Sequence, residues 1–114
     1  MFKISKDSQN QYRWTLQDAG NHKVILRSSE GYSSKYNAEH SISVCKSCVS
    51  FDHFKLRTDS RGQHYFVQFA NNGEPIGIGE SYHNLSDCQT GINSVVRNAP
   101  TAAVVDETSG VKSY

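Results

Sequence analysis

The fold is decided by a segment that the chain contains twice. Residues 29–49 read SEGYSSKYNAEHSISVCKSCV, and residues 79–99 read GESYHNLSDCQTGINSVVRNA. Apolar side chains recur at equivalent positions, 50 residues apart: Ala38, Ile42, Cys45 and Val49, then Cys88, Ile92, Val95 and Ala99. Steps of three and four residues indicate an amphipathic helix with one buried stripe. Each copy therefore predicts a helix, with Ser34 and Asn84 as N-caps.

Three short alternating segments precede each helix. They begin at Phe2 and Phe54, which lie 52 residues apart. Alternation of apolar and polar residues is typical of strands with one buried face, and turns rich in Asn and Gly separate them. The sequence therefore predicts an α+β fold with tandem βββα repeats, at residues 2–52 and 53–100. We expect an antiparallel sheet with both helices packed on one face, an intrachain pseudo-dimer, followed by a loose tail at 101–114.

The second strand of repeat two has two alternative registers. With an offset of 52, Gln68 takes the buried place of Leu16. With an offset of 51, Val67 takes that place, and Tyr65 and Phe69 lie on the same buried face. A shift of one residue moves every side chain to the other face, so the two registers predict different cores. We favour 51, which keeps Gln68 out of the core and places the length difference in the preceding turn.

These repeats resemble the YegP-like family, the domain of unknown function numbered 1508. The resemblance rests on YRWTL at 12–16, VIL at 24–26, SEGYSSK at 29–35, ANNG at 70–73 and GINSVVRNAP at 91–100. It covers residues 2–100 and implies a tandem βββα fold, in which single-repeat members pair as dimers. It implies no biochemical activity.

Repeat one departs from the pattern of the family at the end of its helix. Cys48 and Val49 stand where the pattern has Asn-Ala, and Ser41 stands where it has Gly. In repeat two, His83-Asn84-Leu85 replaces the Ser-Ser-Lys stretch.

Composition indicates one globular domain whose net charge is too small to attract polyanions or membrane surfaces strongly. The 114 residues are 36% hydrophobic and carry a net charge of +1. The segment MFKISK at 1–6 has no apolar core of a signal peptide, and no stretch is long enough to span a bilayer. Three cysteines, an odd number, argue against a disulfide scaffold. We therefore expect a cytoplasmic monomer.

The pair Cys45 and Cys48 forms a C-x-x-C motif. A redox pair needs its thiolate at a helix N-terminus, but this pair lies near the predicted end of a helix. A zinc site needs a second pair of ligands, which Cys88, His40 and His53 do not supply at a recognisable spacing. Cys45 and Cys88 occupy the positions of Val95 and Ala38 in the other repeat. We therefore interpret them as core residues and expect neither a metal nor a cofactor.

The stretch RGQHYFVQF at 61–69 resembles an RNA-recognition signature, but it has one residue too many and a Gln in place of an aromatic. The element order βββα-βββα also differs from that fold. We interpret the stretch as a core strand.

The remaining candidates are histidines and a repeated Glu-x-Tyr. No histidine lies beside a Ser or Cys with an orienting acid, so no catalytic residue is predicted. Glu30 with Tyr32 and Glu80 with Tyr82 recur where a strand meets a helix. We expect the tyrosine to pack under the helix start and the glutamate to satisfy backbone donors.

Three functional hypotheses follow. The first is a non-enzymatic binding or structural module that recognises a partner, a protein for instance, through the free face of the sheet or its edge strands. The second is a nucleic-acid-associated protein that uses strand aromatics with four arginines, Arg13, Arg27, Arg57 and Arg61. The third is a thiol or metal protein through Cys45 and Cys48. The sequence alone leaves the function unknown.

Overall fold

The computed structural model describes residues 1–108 and contains seven strands and two helices in that range. Repeat one supplies β1 (Phe2–Lys6), β2 (Tyr12–Gln17), β3 (Val24–Ser28) and α1 (Lys35–Ser47). Repeat two supplies β4 (Phe54–Thr58), β5 (His64–Phe69), β6 (Pro75–Ile78) and α2 (Leu85–Asn98). A last strand, β7, spans Val104–Asp106, and single 3₁₀ turns lie at Phe51–His53 and Ala99–Thr101. No helix in residues 1–108 has the length and apolarity needed to cross a bilayer.

All seven strands form one sheet in the order β4-β5-β6-β3-β2-β1-β7. The two repeats join at the centre, where β3 and β6 run antiparallel. Arg27 pairs there with Ile78, its equivalent at an offset of 51. Because equivalent residues face each other across an antiparallel pair, an approximate two-fold axis passes between them. The predicted α+β fold and its tandem repeat are confirmed.

Both helices begin where the sequence predicts. The Ser34 hydroxyl accepts a hydrogen bond from the Asn37 N–H at 3.1 Å, and the Asn84 side chain accepts one from the Asp87 N–H at 2.8 Å. The predicted stripes are buried, except that Val49 lies beyond the end of α1. They share one core with the inward side chains of the sheet, whose largest members are Phe2, Trp14, Leu16, Leu26 and Phe66.

The favoured register for β5 was wrong. The structure follows the offset of 52, so that Phe66 and Gln68 are fully buried while Tyr65, Val67 and Phe69 point away from the helices. Burial of Gln68 is compensated because its amide binds the carboxyl end of α1, a partner that is distant in sequence.

The difference in length between the repeats lies after β5, not before it. Both preceding turns are equal, since Asp7 N–H bonds to Gln11 O and Asp59 N–H bonds to Gln63 O. The turn after β2 closes with Asp18 N–H on Lys23 O, whereas the turn after β5 closes one residue sooner, with Ala70 N–H on Glu74 O.

The predicted loose tail contains a strand. Residues 104–106 form β7, which runs parallel to β1 and makes the otherwise antiparallel sheet a mixed one. Phe2 N–H donates to Ala103 O at 2.7 Å, and Glu107 N–H donates to Ile4 O at 2.9 Å. The edge of β1 therefore has backbone partners that the sequence pattern did not indicate. Residues 109–114 of the predicted tail lie outside the described residues.

Candidate functional site: the uncovered face of the sheet

One face of the sheet carries no helix, and the charged side chains at its outward strand positions in residues 1–108 are all basic. Cross-strand partners share a face of a sheet. One row of partners therefore runs across six strands: Lys3, Thr15, Arg27, Ile78, Val67 and Lys55. Arg13 and Arg57 lie on the same face, in the next row. Within residues 1–108, no outward strand position carries an acidic side chain.

The half of this face that belongs to repeat two is partly apolar. We define the outer patch as Lys55, Arg57, Tyr65, Val67, Phe69 and Ile78. Its aromatic and aliphatic members are half-buried, and the Arg57 guanidinium lies 5.9 Å from the centre of the Phe69 ring. Neither Lys55 nor Arg57 forms an ion pair with any residue of the described range 1–108. The patch thus combines aromatic surface with two unneutralised cations.

A groove of about 320 Å³ adjoins the outer patch. Its walls include Arg27, Asp59, Tyr65 and Ile78. Asp59 is itself engaged, since its carboxylate accepts the N–H groups of Arg61 and Gln63 at 2.9 and 3.0 Å. The hydrogen bond from the Gln63 N–H is the largest cause of a lowered pKa of Asp59, and the bond from the Arg61 N–H lowers that pKa further. An anionic ligand in the groove would meet Arg27 on one side and this carboxylate on the other.

The half that belongs to repeat one is polar, and its cations are paired. Lys3 lies 3.7 Å from Glu107, and Arg13 lies 2.7 Å from Asp7. Arg27 contacts Glu80 at 3.4 Å. At the positions equivalent to Val67 and Phe69, repeat one carries Thr15 and Gln17. The two halves therefore share a backbone but present different chemistry.

The structure separates the four arginines of the nucleic-acid hypothesis. Arg13, Arg27 and Arg57 share the uncovered face, but only Arg57 stacks on an aromatic ring and has no carboxylate partner in residues 1–108. Arg61 lies in the turn before β5, 3.6 Å from the Asp59 carboxylate. The RGQHYFVQF stretch is a strand from His64 to Phe69, but Tyr65 and Phe69 lie on its outer side instead of in the core.

The three cysteines are buried and form no disulfide. The Cys45 thiol donates to Gln68 Oε1 at 3.1 Å, and burial raises the pKa of that thiol to about 12. A thiol with so high a pKa stays protonated near neutral pH and is a poor nucleophile. Cys45 and Cys88 are fully buried, as are their equivalents Val95 and Ala38.

The histidine candidates do not converge. Both ring nitrogens of His53 are engaged, Nδ1 with Ser50 Oγ at 2.8 Å and Nε2 with Asn71 Oδ1 at 2.7 Å. His40 lies on the exposed side of α1. Residues 1–108 contain no cluster of three His, Cys, Asp or Glu side chains arranged to hold a metal ion.

The repeated Glu-x-Tyr positions line two equivalent clefts of about 330 and 410 Å³, each between the helix of one repeat and a hairpin of the other. The tyrosines do pack against the helices, but along the middle and not under the start, since the Tyr32 hydroxyl lies 2.8 Å from Ser41 Oγ. In the second cleft Gly91 stands at the position of this serine, and a Cβ added there would meet the Tyr82 hydroxyl as it is placed. The expectation for the glutamate was wrong in repeat two, where Glu80 accepts a hydrogen bond from Arg27.

Sequence reasoning missed the outer patch because it placed β5 in the wrong register. The strict equality of the two preceding turns, Asp7–Gln11 and Asp59–Gln63, was the signal that could have corrected it. Both turns also place a residue with positive φ at the same point, Asn10 at 66° and Gly62 at 81°.

Comparison with known proteins matches the chain twice to a family described as "Domain of unknown function (DUF1508)", over residues 7–52 and 59–106. The chain is similar to the UPF0339 protein YegP of Escherichia coli K12, at 39% identity over 108 residues, 94% of this chain and 96% of YegP. A UPF0339 protein of Bordetella pertussis is 40% identical over 106 residues, 92% of this chain and 94% of that relative.

Two solution NMR structures have the same fold. YegP of E. coli, described as a protein of unknown function, matches with a TM-score of 0.87 at 37% identity, covering 96% of this chain and 94% of that one. A UPF0339 protein of Shewanella oneidensis matches with a TM-score of 0.85 at 30% identity, covering 94% and 90%. These relatives support the tandem fold and assign no activity.

Proposed function

The chain belongs to the DUF1508 family, and we propose that it is a non-enzymatic binding module whose binding surface is the outer patch. The observation that carries this proposal is the difference between the two halves of the uncovered face. The same backbone is polar and ion-paired in repeat one, but aromatic and basic without carboxylate partners in the described part of repeat two. A purely structural face would need no such difference.

The chemistry of the outer patch defines the ligand. Half-buried Tyr65, Val67 and Phe69 offer apolar contact area, and exposed aromatic surface commonly marks an interaction site. Lys55 and Arg57 attract negative charge at its margin. The ligand is therefore a segment that combines apolar groups with anions, and an acidic, aromatic-containing protein segment fits this description.

Three further observations support a cytoplasmic monomer without enzymatic activity. The cysteines are free and buried, which suits a reducing compartment. The one thiol of the C-x-x-C motif with a strongly raised pKa, Cys45, is suited to packing and not to nucleophilic attack. The two repeats also supply each other's partner within one chain, so that the sheet is built without a second copy.

The experiment compares retention of partners by matched variants. A triple variant, Arg57→Gln/Tyr65→Ser/Phe69→Ser, removes both aromatic rings, the stack of Arg57 on Phe69 and one of the two cations of the outer patch. The control, Thr15→Ser/Gln17→Ser, changes two outward positions of repeat one, of which Gln17 is the equivalent of Phe69. We expect the wild type and the control to retain the same proteins from a lysate, and the triple variant to lose them. Identical retention by all three proteins would overturn the proposal.

Single-stranded nucleic acid is a second candidate, favoured by the position of Arg57 beside an outward aromatic pair. Tyr65 and Phe69 are four residues apart on the outer side of β5, with Val67 between them, where bases could stack while Lys55 and Arg57 contact phosphates. Binding of labelled oligothymidylate or oligouridylate should weaken with salt and with Phe69→Ser, but not with the matched Gln17→Ser. Absence of binding at low salt would remove this candidate.

A further inference from the structure

The two repeats differ at the outer edges of their first strands. The edge of β1 is covered by β7, and Ile4 is fully buried. The edge of β4 has no strand beside it within residues 1–108, and Leu56, the equivalent of Ile4, is 46% exposed. An uncovered edge with an exposed aliphatic side chain is a template for another strand.

The backbone of β4 is oriented to accept such a strand. β1 and β4 pair with their neighbours in the same register, since Ile4 faces Trp14 and Leu56 faces Phe66. Ile4 O accepts the Glu107 N–H on its open side. The Leu56 carbonyl therefore points to the open edge of β4, where it accepts a hydrogen bond from Arg57 Nη1 at 3.2 Å that an added strand would replace.

β7 itself shows which strand fits. It follows α2 as β4 follows α1, and Val104 lies 50 residues after Phe54, so β7 corresponds to the first strand of a further repeat. It runs parallel to β1, with Val104 beside Phe2 and Asp106 beside Ile4. The strand that fits β4 by the same geometry is parallel and extended.

We propose that β4 accepts an extended segment of a partner protein as a parallel edge strand, with the pattern aliphatic, aliphatic, apolar, acidic. The first two positions correspond to Val104 and Val105, and the last corresponds to Glu107. Glu107 pairs with Lys3, whose equivalent at the edge of repeat two, Lys55, has no acidic partner in residues 1–108.

The third position differs between the two edges. Asp106 contacts Lys35, the first residue of α1, at 2.6 Å. The equivalent residue of α2 is Leu85, whose side chain is 53% exposed. An apolar residue of the partner would cover Leu56 and Leu85, whereas an aspartate there would be buried without a cation. This edge adjoins the outer patch and shares Lys55 with it, but it binds through the backbone of β4, and the inference does not rest on the proposed function.

The test uses two blocked peptides and the full chain. Ac-AVVDETG-NH₂ reproduces residues 103–108 with an added glycine, and Ac-AVVLETG-NH₂ replaces the aspartate by leucine. In ¹⁵N-resolved NMR titrations, the leucine peptide should shift resonances of Phe54–Thr58 and Leu85 and slow amide exchange at Leu56. The Kd of the leucine peptide should be about tenfold lower than that of the aspartate peptide.

Leu85→Lys provides the decisive variant, because it recreates the Lys35 environment at an exposed position that the fold tolerates. This variant should reverse the preference, so that the aspartate peptide binds more tightly than the leucine peptide. Tyr65→Ser, on the outer patch, should leave both affinities unchanged.

Three results would overturn the inference. One is an absence of shifts in β4 at about 2 mM of either peptide, a concentration that detects a millimolar Kd. The second is unchanged peptide preference in Leu85→Lys. The third is a concentration-dependent dimer that Leu56→Lys abolishes, which would show that a second copy and not a partner peptide occupies the edge.

Discussion

The carboxyl end of α1 is held by a neutral amide, whereas that of α2 is held through a carboxylate. Gln68 Nε2 donates to Cys45 O at 3.1 Å and to Cys48 O at 2.7 Å, and both carbonyls lie at the end of α1. Asn98, the last residue of α2, donates to Asp18 Oδ1 at 2.8 Å and accepts the Ala19 N–H at 3.0 Å. In each case the partner comes from the other repeat. We call the contact of Gln68 with the end of α1 the amide lock, and the contact of Asp18 with Asn98 the carboxylate lock.

The difference follows from where each helix stops. α2 continues to Asn98 and then into the 3₁₀ turn Ala99–Thr101, so that Asn98 O accepts the Ala102 N–H. α1 stops at Ser47 with the Cys48 N–H on Val44 O, and no backbone N–H in residues 1–108 donates to the carbonyls of Cys45 and Cys48. Gln68 supplies those donors from β5. Each helix end is therefore held by the other repeat, but the two repeats use unrelated side chains to do so.

The largest expected effect comes from removing the amide lock. Gln68→Leu restores the residue type of repeat one, Leu16, but leaves two carbonyls and the Cys45 thiol without their partner. The free energy of unfolding should fall by about 2–4 kcal/mol, since each buried polar group left unpaired costs about 1–3 kcal/mol. Urea denaturation followed by fluorescence of Trp14, the only tryptophan, measures this loss.

The matched control for this variant is Gln17→Leu, which changes a glutamine on the outer side of β2. It should change stability by less than about 0.5 kcal/mol. Equal stability of Gln68→Leu and the wild type would show that the amide does not fasten α1.

The carboxylate lock should give a smaller and pH-dependent effect. Asn98→Ala removes the contact with Asp18 and should cost about 1–3 kcal/mol at neutral pH. The Asn98 hydrogen bond, followed by that of the Gly20 N–H, lowers the pKa of Asp18 below its ordinary 3.8. A lowered carboxyl pKa stabilises the folded state above the ordinary value, and this contribution is lost as the pH falls below it.

Urea denaturation of Asn98→Ala, Gln68→Leu and the wild type between pH 7 and pH 3 separates the two locks. The cost of Asn98→Ala should shrink below about pH 4, where Asp18 protonates in the unfolded chain but not yet in the folded wild type, while that of Gln68→Leu should stay constant. A constant difference for both variants would contradict the ionised lock.

The smallest expected effect is a rescue that transplants one lock onto the other repeat. Cys48 and Ala70 are the equivalents of Asn98 and Asp18, so Gln68→Leu/Cys48→Asn/Ala70→Asp carries the carboxylate lock at α1. It should regain about 1 kcal/mol of the stability lost in Gln68→Leu. The rescue is partial because the turn after Ala70 is one residue shorter than the turn after Asp18.

A rescue of this kind should also make the stability of the triple variant more pH-dependent than that of Gln68→Leu. Addition of Cys48→Asn alone serves as the control, because it supplies the amide without its carboxylate. Equal stability of that control and the triple variant would show that the new pair does not form.

Most of the fold could be predicted because its signals are local. The stripe from Ala38 to Cys45, the N-caps Ser34 and Asn84, and the alternation in β2 depend only on neighbouring residues. The candidate surface could not be predicted in the same way. A glutamine looked unsuitable for the core, and the value of burying Gln68 depends on carbonyls 20 and 23 residues away.

The sequence by itself determined the tandem repeat, the two helices and the family, because periodicity and duplication are properties of the chain. Only the tertiary structure decided which face of β5 is buried, and it thereby turned Tyr65 and Phe69 outward beside Arg57. It also decided that β7 covers the edge of β1, whereas the edge of β4 stays uncovered in residues 1–108 and Leu56 is exposed there. Both outcomes depend on partners that meet only when the repeats pack, since hydrogen bonds and edge pairing are satisfied in space and not along the sequence.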